Sequence, residues 1–563
     1  MRRNLVSASF WKTLRPVAHQ KQLGAILILA FLLRLAGNLY DMPYRFHPDE
    51  HKYAGRAVVM MSEGTLNPTY FENPPLYTYA ILAVLYALYG VKYAVGAVGR
   101  RAAFIAALWP TGAFGVARGL TALAGTTTCL LLFLIGKRFG GEQAGVLAAL
   151  FYAVAFLSVR DGHFAVNDLP MVFLVTLAFY FAGRLLEGGR RRDLLWGGLT
   201  AGLAVATKYN GGIAFLPLLL ACAVRQPAEE KGVGARRVGS IGLDWLVLLV
   251  SGLVGFVLGN PYAVLDNDAF LSGFTSQYEL REQMWRGQSA RPVGLLVIEA
   301  LAIELGWPLL LLFPLSAAVC IARGGSRAKA TLLALSIVLP LLLYHSAQTL
   351  FFARFLLPCT PFIALVCAWG IVAARDASRA TWVRRPIIGW GALALLVLLP
   401  LARSLYLDVI LQRSDTRIVA KWYLERIAPP GSAIVRETDS IYMVPLNFQR
   451  YRIFSLKADP SLVHLTGTPA DYYLFSSFAK GRISGVSEAD EEVLVQSLKR
   501  EGFASVTISP SRDGGDLPFD LDEVYLPFRH LFRYTRPGPV IVIYARPGLP
   551  LSSTAIPPFA PIT

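Results

Sequence analysis

Arg45-Phe46-His47-Pro48-Asp49-Glu50-His51-Lys52-Tyr53 follows directly on the first long apolar run of the chain. It sets two adjacent acids, two histidines, a lysine and an arginine beside a segment built to sit in lipid. Charge at a bilayer boundary is costly unless it is solvated, paired or functional. Pro48 suits the first turn of a helix, and acids are favoured there by the helix dipole. Continued as a helix, the stretch puts Tyr53, Ala57, Met60 and Met61 on an apolar stripe and Asp49, Lys52 and Arg56 on a polar one. The expectation is an amphipathic helix on the membrane surface. A carboxylate there could accept a proton from a hydroxyl or amine, and the basic residues one and two turns on could hold a phosphate. A plain helix cap with i,i+3 and i,i+4 ion pairs is the competing reading.

The apolar run before this stretch, residues 22–40, is long enough to span a bilayer. The N-terminus ahead of it is basic (Arg2, Arg3, Lys12, Arg15, Lys21), and no small-residue cleavage site follows. It reads as a retained first helix with a cytoplasmic N-terminus. Composition agrees. The 563 residues are 55% hydrophobic and 16% charged, with mean hydropathy +0.48, whereas a soluble domain carries about 25% charged residues. Lys and Arg number 54 against 37 acids, a net +17. Such an excess can mark a nucleic-acid binder. Here much of it falls in short loops on one side of the apolar segments, which the positive-inside rule explains without nucleic acid. Cys129, Cys222, Cys320, Cys359 and Cys367 are odd in number, lie in or beside apolar segments and form no C-x-x-C, so neither disulfides nor a thiolate metal site is expected.

Candidate spans run roughly over 22–40, 118–136, 143–159, 169–187, 194–207, 211–225, 242–259, 294–322, 330–345, 355–373 and 386–404. The basic loops at 137–138, 190–192, 225–237, 323–329 and 375–385 then share the cytoplasmic face. The opening stretch and residues 160–170, 208–211, 260–292 and 345–354 share the outer one. Residues 74–95 are apolar enough to span; their tyrosines favour an interfacial or re-entrant helix within a first outer loop at 41–117. About 11 to 13 transmembrane helices are expected in residues 1–404. From 405 to 545 the charge density becomes ordinary. Strands are expected at 432–435, 471–475, 505–508 and 539–544, and helices at 416–427 and 488–500. This is a small α/β domain, placed outside by the span count. A Pro-rich tail occupies 546–563.

Other polar residues collect on the outer face. Asp161, His163 and Asp168 lie between two spans; with His47 they could bind a divalent cation, but nothing in their spacing is diagnostic of a metal site. Asp168 also suits a helix N-cap. Lys208 and Arg354 interrupt apolar runs, as snorkelling residues at span ends do, or as captors of an anionic group. Asp266-Asn267-Asp268 matches D-x-D yet reads as a turn, with Asn260-Pro261-Tyr262 as a wall of the same cavity.

The ordered set His47-Pro48-Asp49-Glu50-His51-Lys52-Tyr53, Asn73-Pro74-Pro75-Leu76, Arg118-Gly119-Leu120, Arg160 with Asp168-Leu169-Pro170, Lys208-Tyr209-Asn210-Gly211, Asn260-Pro261-Tyr262 and Arg354-Phe355-Leu356-Leu357-Pro358 resembles the GT-C membrane glycosyltransferases. The nearest likeness is to the bacterial branch related to protein O-mannosyltransferases (glycosyltransferase family 39) and to the lipid A aminoarabinose transferase. The resemblance implies inverting transfer of a sugar from a polyprenyl-phosphate donor to an extracytoplasmic acceptor, in the plasma (inner) membrane. It makes Asp49 the general base, with Glu50 supporting it or sharing the role. It makes Lys208, Arg354, Arg56 and Lys52 binders of the lipid phosphate. His47, Tyr53, Asp161, His163, Asp168, Tyr209, Asn260 and Tyr262 would line the substrate cavity, with the 74–95 segment beside the prenyl chain. No cofactor is implied; a divalent cation on Asp161, His163 and Asp168 is the minor alternative. No WWDYG-like motif occurs, which argues against an oligosaccharyltransferase, and the outer domain does not resemble a β-trefoil. A transporter of lipid-linked glycans is the competing class; it should carry charges mid-span and broken helices in paired halves. A receptor or assembly factor would leave the acid pair unexplained.

Overall fold

A computed structural model describes residues 4–224, 234–282, 291–377, 386–459, 470–479, 487–514 and 517–551. Most of the basic loop at 225–237, most of that at 375–385, and most of the Pro-rich tail lie outside the described residues. The chain divides into two compact units. The first comprises Met1–Ala36, Asp49–Glu282 and Arg291–Ser404; the second comprises Gly37–Pro48, Gln283–Ala290 and Leu405–Thr563.

The first unit is helical. Its elements are α1 (Asn4–Leu35), α2 (Ala54–Glu63), α3 (Leu76–Ala94), α4 (Arg101–Leu108), α5 (Thr111–Gly140) and α6 (Glu142–Ala153). Next come α7 (Phe156–Asp161), α8 (Asp168–Leu186), α9 (Arg191–Thr207), α10 (Phe215–Val224), α11 (Gly234–Gly259) and α12 (Tyr262–Leu265). The series ends with α13 (Asn267–Glu282), α14 (Val293–Leu305), α15 (Trp307–Ala322), α16 (Gly325–Ser346), α17 (Thr360–Ala377) and α18 (Pro386–Leu411). Among the described residues seven helices are long and apolar enough to cross a bilayer, and α14 with α15, bent by 105°, passes the same test together as a broken span or a re-entrant loop. The bend is made at Gly306, whose φ of +79° is open to glycine at little cost. Other expected spans are shorter or interrupted: α6 has 12 residues and α9 has 17. Residues 76–94 form one 19-residue helix that passes the same test of length and hydropathy.

Two packing devices hold this unit. The first is a seam of glycines between α9 and α11. A Cβ on Gly202 would lie 1.9 Å from the Gly252 carbonyl oxygen, and one on Gly255 would lie 2.2 Å from that of Leu199. Backbones approach this closely in lipid because dispersion contacts are the main attraction left there. The second is Arg34, fully buried in α1. Its guanidinium donates to the carbonyls of Tyr152 and Ala153 at 3.2 and 3.1 Å and to the Ser158 hydroxyl at 2.9 Å. Those carbonyls belong to the last turn of α6; that of Tyr152 also accepts from the Ala155 amide at 3.3 Å, and Arg34 adds its donors at the break before α7.

The second unit holds a five-stranded sheet of order β2-β1-β3-β5-β4, formed by β1 (Ala433–Arg436), β2 (Arg452–Ser455), β3 (Tyr472–Ser476), β4 (Ala504–Ile508) and β5 (Ile541–Ala545). β1 runs parallel to β2 and β3; β5 is antiparallel to β3 and β4. Side chains alternate between faces. Ile434, Tyr472, Leu474, Ile541 and Ile543 join Tyr423 and Leu424 of α19 (Thr416–Ile427). Val435, Tyr473, Phe475 and Tyr544 join Leu494 and Leu498 of α20 (Glu488–Arg500). Both helices have the expected bounds and capped starts: the Asp415 carboxylate accepts from the Arg417 amide at 2.9 Å and the Ser487 hydroxyl from the Asp490 amide at 3.1 Å. β2 was not expected. Its Arg-Ile-Phe-Ser sequence is short, half exposed and at the sheet edge, where the alternation signal is weakest.

Candidate active site

Asp49 precedes a three-residue 3-10 turn, Glu50–Lys52, and α2 starts afresh at Ala54. The amphipathic surface helix expected from Pro48 onward is therefore not formed. α2 instead buries Ala54, Gly55, Ala57, Val58, Met60 and Met61. The turn sends the two acids in different directions. Asp49 Oδ2 accepts from Arg354 at 2.8 Å, and Oδ1 lies 3.5 Å from Lys52 Nζ. Its side chain keeps 21% of its surface exposed. Glu50 is fully buried. Its oxygens accept from Arg118 Nε at 2.7 Å and Nη2 at 2.6 Å, and from the Ala165 amide at 2.6 Å. A carboxylate enclosed and engaged in this way cannot share the proton chemistry of an exposed neighbour. Of the two expected roles, supporting Asp49 or sharing its part as base, these contacts favour the first: Glu50 ties the Asp49 turn to α5 and to the loop before α8.

The expected cations separate likewise. Lys52 also lies 3.5 Å from Glu72 and 5.8 Å from the Tyr70 ring centroid. Burial by itself would lower the Lys52 ammonium; Asp49, Tyr70 and Glu72 outweigh it and hold it above its ordinary value. Burial pushes the Tyr70 hydroxyl up to about 12, so it stays a donor to Glu72 at 3.0 Å. Lys208 pairs with Asp168 at 2.6 Å and lies 5.8 Å from the Phe355 ring centroid. Arg354 stacks 5.2 Å from the Phe352 centroid. Arg56, half-buried, donates to the Thr69 hydroxyl at 3.1 Å.

The remaining expected residues are divided. Burial raises the Tyr53 hydroxyl well above its ordinary value, and the charges of Asp49, Asp168 and Arg354 reach it. Asp161 receives Arg160 Nε at 3.1 Å and lies within the fields of Asp168 and Arg354. These residues, Lys52 and Lys208 form one polar cluster. His163 is turned away from it: its ring nitrogens face the carbonyl oxygens of Val159 and Ala36 at 2.9 Å each. Among the described residues no three His, Cys, Asp or Glu side chains are placed to hold a metal ion. His47 is buried in the second unit against Tyr525, 5.1 Å between centroids. Asn260 is fully buried, with neither amide atom hydrogen-bonded among the described residues. Tyr262 is half-buried, and Asp266 accepts from Asn67 at 2.7 Å, a structural turn as expected.

A cavity of about 420 Å³ opens next to Lys208. Its walls include Tyr209, Asn210, Ile213, Phe274, Tyr344 and His345. His345 stacks on Phe355, 5.3 Å between centroids, so the ring beside Lys208 also backs the cavity wall. α3, expected beside the prenyl chain, is not among these walls. Sequence reasoning assigned no role to Arg34, Arg118, Glu72 or Glu304. Glu304 is fully buried and accepts from the Thr360 hydroxyl at 2.6 Å. A lone charge in an apolar run, as at Arg34 and Glu304, was the available signal.

Residues 102–252 match the family model described as dolichyl-phosphate-mannose-protein mannosyltransferase. This span carries Arg118, Arg160, Asp161, Asp168 and Lys208. The Archaeoglobus fulgidus oligosaccharyltransferase in its apo form is similar in structure at TM-score 0.51, with 11% identity over 87% of this chain and 73% of that one. The chain has the GT-C fold. Also similar is ArnT from Cupriavidus metallidurans in the apo state, 16% identical over 95% of this chain and 98% of that one, at TM-score 0.49. An uncharacterized protein of Aquifex aeolicus is 27% identical over 206 residues, 34% of this chain. The chain spans about a third of the length of that curated relative, 36%. Within the GT-C fold, the Asp49 turn, the Lys208 turn and the Arg354 turn bring residues 305 positions apart in sequence into contact.

Proposed function

We propose that the protein transfers a glycosyl group from a polyprenyl-phosphate donor to an acceptor hydroxyl or amine at the outer membrane face, with inversion. The observation that supports this best is the clasp of Asp49 by Arg354 and Lys52, a partly exposed carboxylate held by cations. The N-terminus is assigned to the cytoplasm, and residues 405–545 to the outside with the site.

The chemistry follows from the charges. The donor's phosphate is a diester, one charge on two terminal oxygens; it competes with the Asp49 carboxylate for Arg354 and Lys52 and gains a second charge and a third terminal oxygen as the sugar leaves. Its arrival draws the cations off Asp49 and restores that carboxylate's basicity. The acceptor's O–H or N–H proton passes to Asp49 as its heteroatom attacks the anomeric carbon from the side opposite the phosphate. The C–O bond to phosphate breaks with its electron pair remaining on the phosphate, and Lys208 and Arg354 neutralise that charge. Cations thus replace a general acid. The cavity beside Lys208 takes the first part of the prenyl chain. Glu50 and Arg118 hold Asp49 in place. No metal is required for these steps.

The test is transfer from a polyprenyl-phosphate-linked sugar by purified protein. Asp49→Asn should lower the rate by about 10²-fold or more with the thermal transition unchanged. Full transfer activity in that variant rejects Asp49 as the base.

A further inference from the structure

Tyr53 closes the Asp49 turn and leads into α2. Its amide donates to the Glu50 carbonyl at 3.1 Å, and its carbonyl accepts from the Ala57 amide at 2.9 Å. Its ring packs against that of Tyr77, 5.6 Å between centroids and tilted by 65°. Tyr77 is itself fixed: its hydroxyl donates to the Ala117 carbonyl at 2.7 Å and lies 2.6 Å from the Thr121 hydroxyl. α5 thus supports the Tyr53 ring through Tyr77.

Only 4% of Tyr53 is exposed, and that remnant includes its hydroxyl, which no group of the described residues engages by a hydrogen bond. The carboxylates whose charges reach it are turned to other partners: Asp49 to Arg354 at 2.8 Å and Asp168 to Lys208 at 2.6 Å. Buried donors are rarely left unmet. Here the donor is open and pre-set, on a ring that cannot move away.

Its surroundings say what it can meet. The charge of Arg354 reaches it directly; Asp168 carries Lys208, and Asp49 carries Lys52 at 3.5 Å. The hydroxyl therefore stands among the three cations assigned to the lipid phosphate, and an anion they draw in comes within its reach. A sugar or acceptor hydroxyl, needing an acceptor for its own proton, is better served by the carboxylates. Burial, then Tyr70 and the two acids, raise the Tyr53 hydroxyl well above its ordinary value against the pull of Arg354. It keeps its proton and acts as a donor.

We propose that Tyr53 is a further catalytic residue, its hydroxyl donating to a terminal oxygen of the donor's phosphate. This role rests on the transfer reaction proposed above. Charge builds on the phosphate as the sugar leaves, and a hydrogen bond to it strengthens with that charge. A neutral donor therefore adds more to the transition state than to the bound substrate.

The test joins two measurements on the full chain in detergent: calorimetric binding of polyprenyl phosphate, which carries no sugar, and transfer from the sugar-linked donor. Tyr53→Phe removes only the hydroxyl. It should leave the thermal transition in place, weaken binding of polyprenyl phosphate about tenfold, and lower kcat about tenfold or more with the acceptor's KM unchanged. Loss confined to the sugar-linked donor overturns the role in favour of a sugar contact, and a change in the acceptor's KM alone overturns it in favour of an acceptor contact. A lowered thermal transition or failure to fold overturns it too, because the hydroxyl would then be serving the protein. If the unsubstituted protein binds no polyprenyl phosphate, the transfer reaction itself falls. If it binds and transfers while Tyr53→Phe does both equally well, only the role of Tyr53 falls.

Discussion

Replacing Glu50 by Gln removes the charge that Arg118 faces in a place closed to water. Breaking a buried pair from one side leaves an uncompensated ion and costs about 3–5 kcal/mol. Glu50→Gln should therefore lower the Tm measured in detergent and reduce transfer through misplacement of Asp49. Adding Arg118→Met should recover much of the Tm and little of the activity. A variant with unchanged Tm would show that the pair does not brace the turn. The acid pair was legible as a special site because charge beside a span is rare. The division of labour within it was not. Burial of Glu50 depends on Arg118 and Ala165, 68 and 115 positions away, and no local pattern encodes such partners. The Asp49–Arg354 contact was out of reach for the same reason, although both residues stood out as charges in apolar surroundings.

At the level of elements, the seam between α9 and α11 has the least tolerance. Gly202→Leu would press a side chain onto the Gly252 carbonyl and push the helices apart; overpacking of this kind costs about 1–3 kcal/mol or more. Lower Tm is expected, with Gly242→Leu, where nothing lies within 4 Å, as the unaffected control. Equal Tm values for the two variants would contradict the close seam. Element positions were largely readable in the second unit, because α19, α20 and most strands follow simple periods and caps. They were less readable in the membrane unit. There hydropathy marks apolar runs but not the breaks within them, such as those before α7 and at Gly306, which depend on side chains such as Arg34 filling the gap. The Pro48 helix failed for a related reason: amphipathic spacing described α2 correctly only from Ala54 onward, and its apolar face found helices instead of lipid.

For the molecule as a whole, composition conveyed the membrane class, and a change of charge density with strand and helix periods conveyed the α/β unit. The two units also differ in what titrates. In the second, Glu523 accepts from the amides of Phe528 and His530 at 2.9 Å each, and His530 Nδ1 lies 3.3 Å from the same carboxylate. Hydrogen bonding to Glu523, against a smaller effect of burial, raises the His530 imidazole above its ordinary value. A raised pKa means stabilisation that is complete below the unfolded value, near 6.5, and lost as pH rises through the higher folded value. Beyond its intrinsic pH dependence, amide exchange at Phe528 and His530 should speed up across that window, and His530→Gln should remove the extra increase. No such difference would disprove the coupling. Arg34 carries the last consequence. The Ala153 carbonyl, where α6 stops, is costly to leave facing hydrocarbon, and its donor, Arg34, comes from a segment made more than a hundred residues earlier. The end of α6 is thus completed only when α1 is already beside it, which couples the first helix to the break before α7 across 119 positions of sequence.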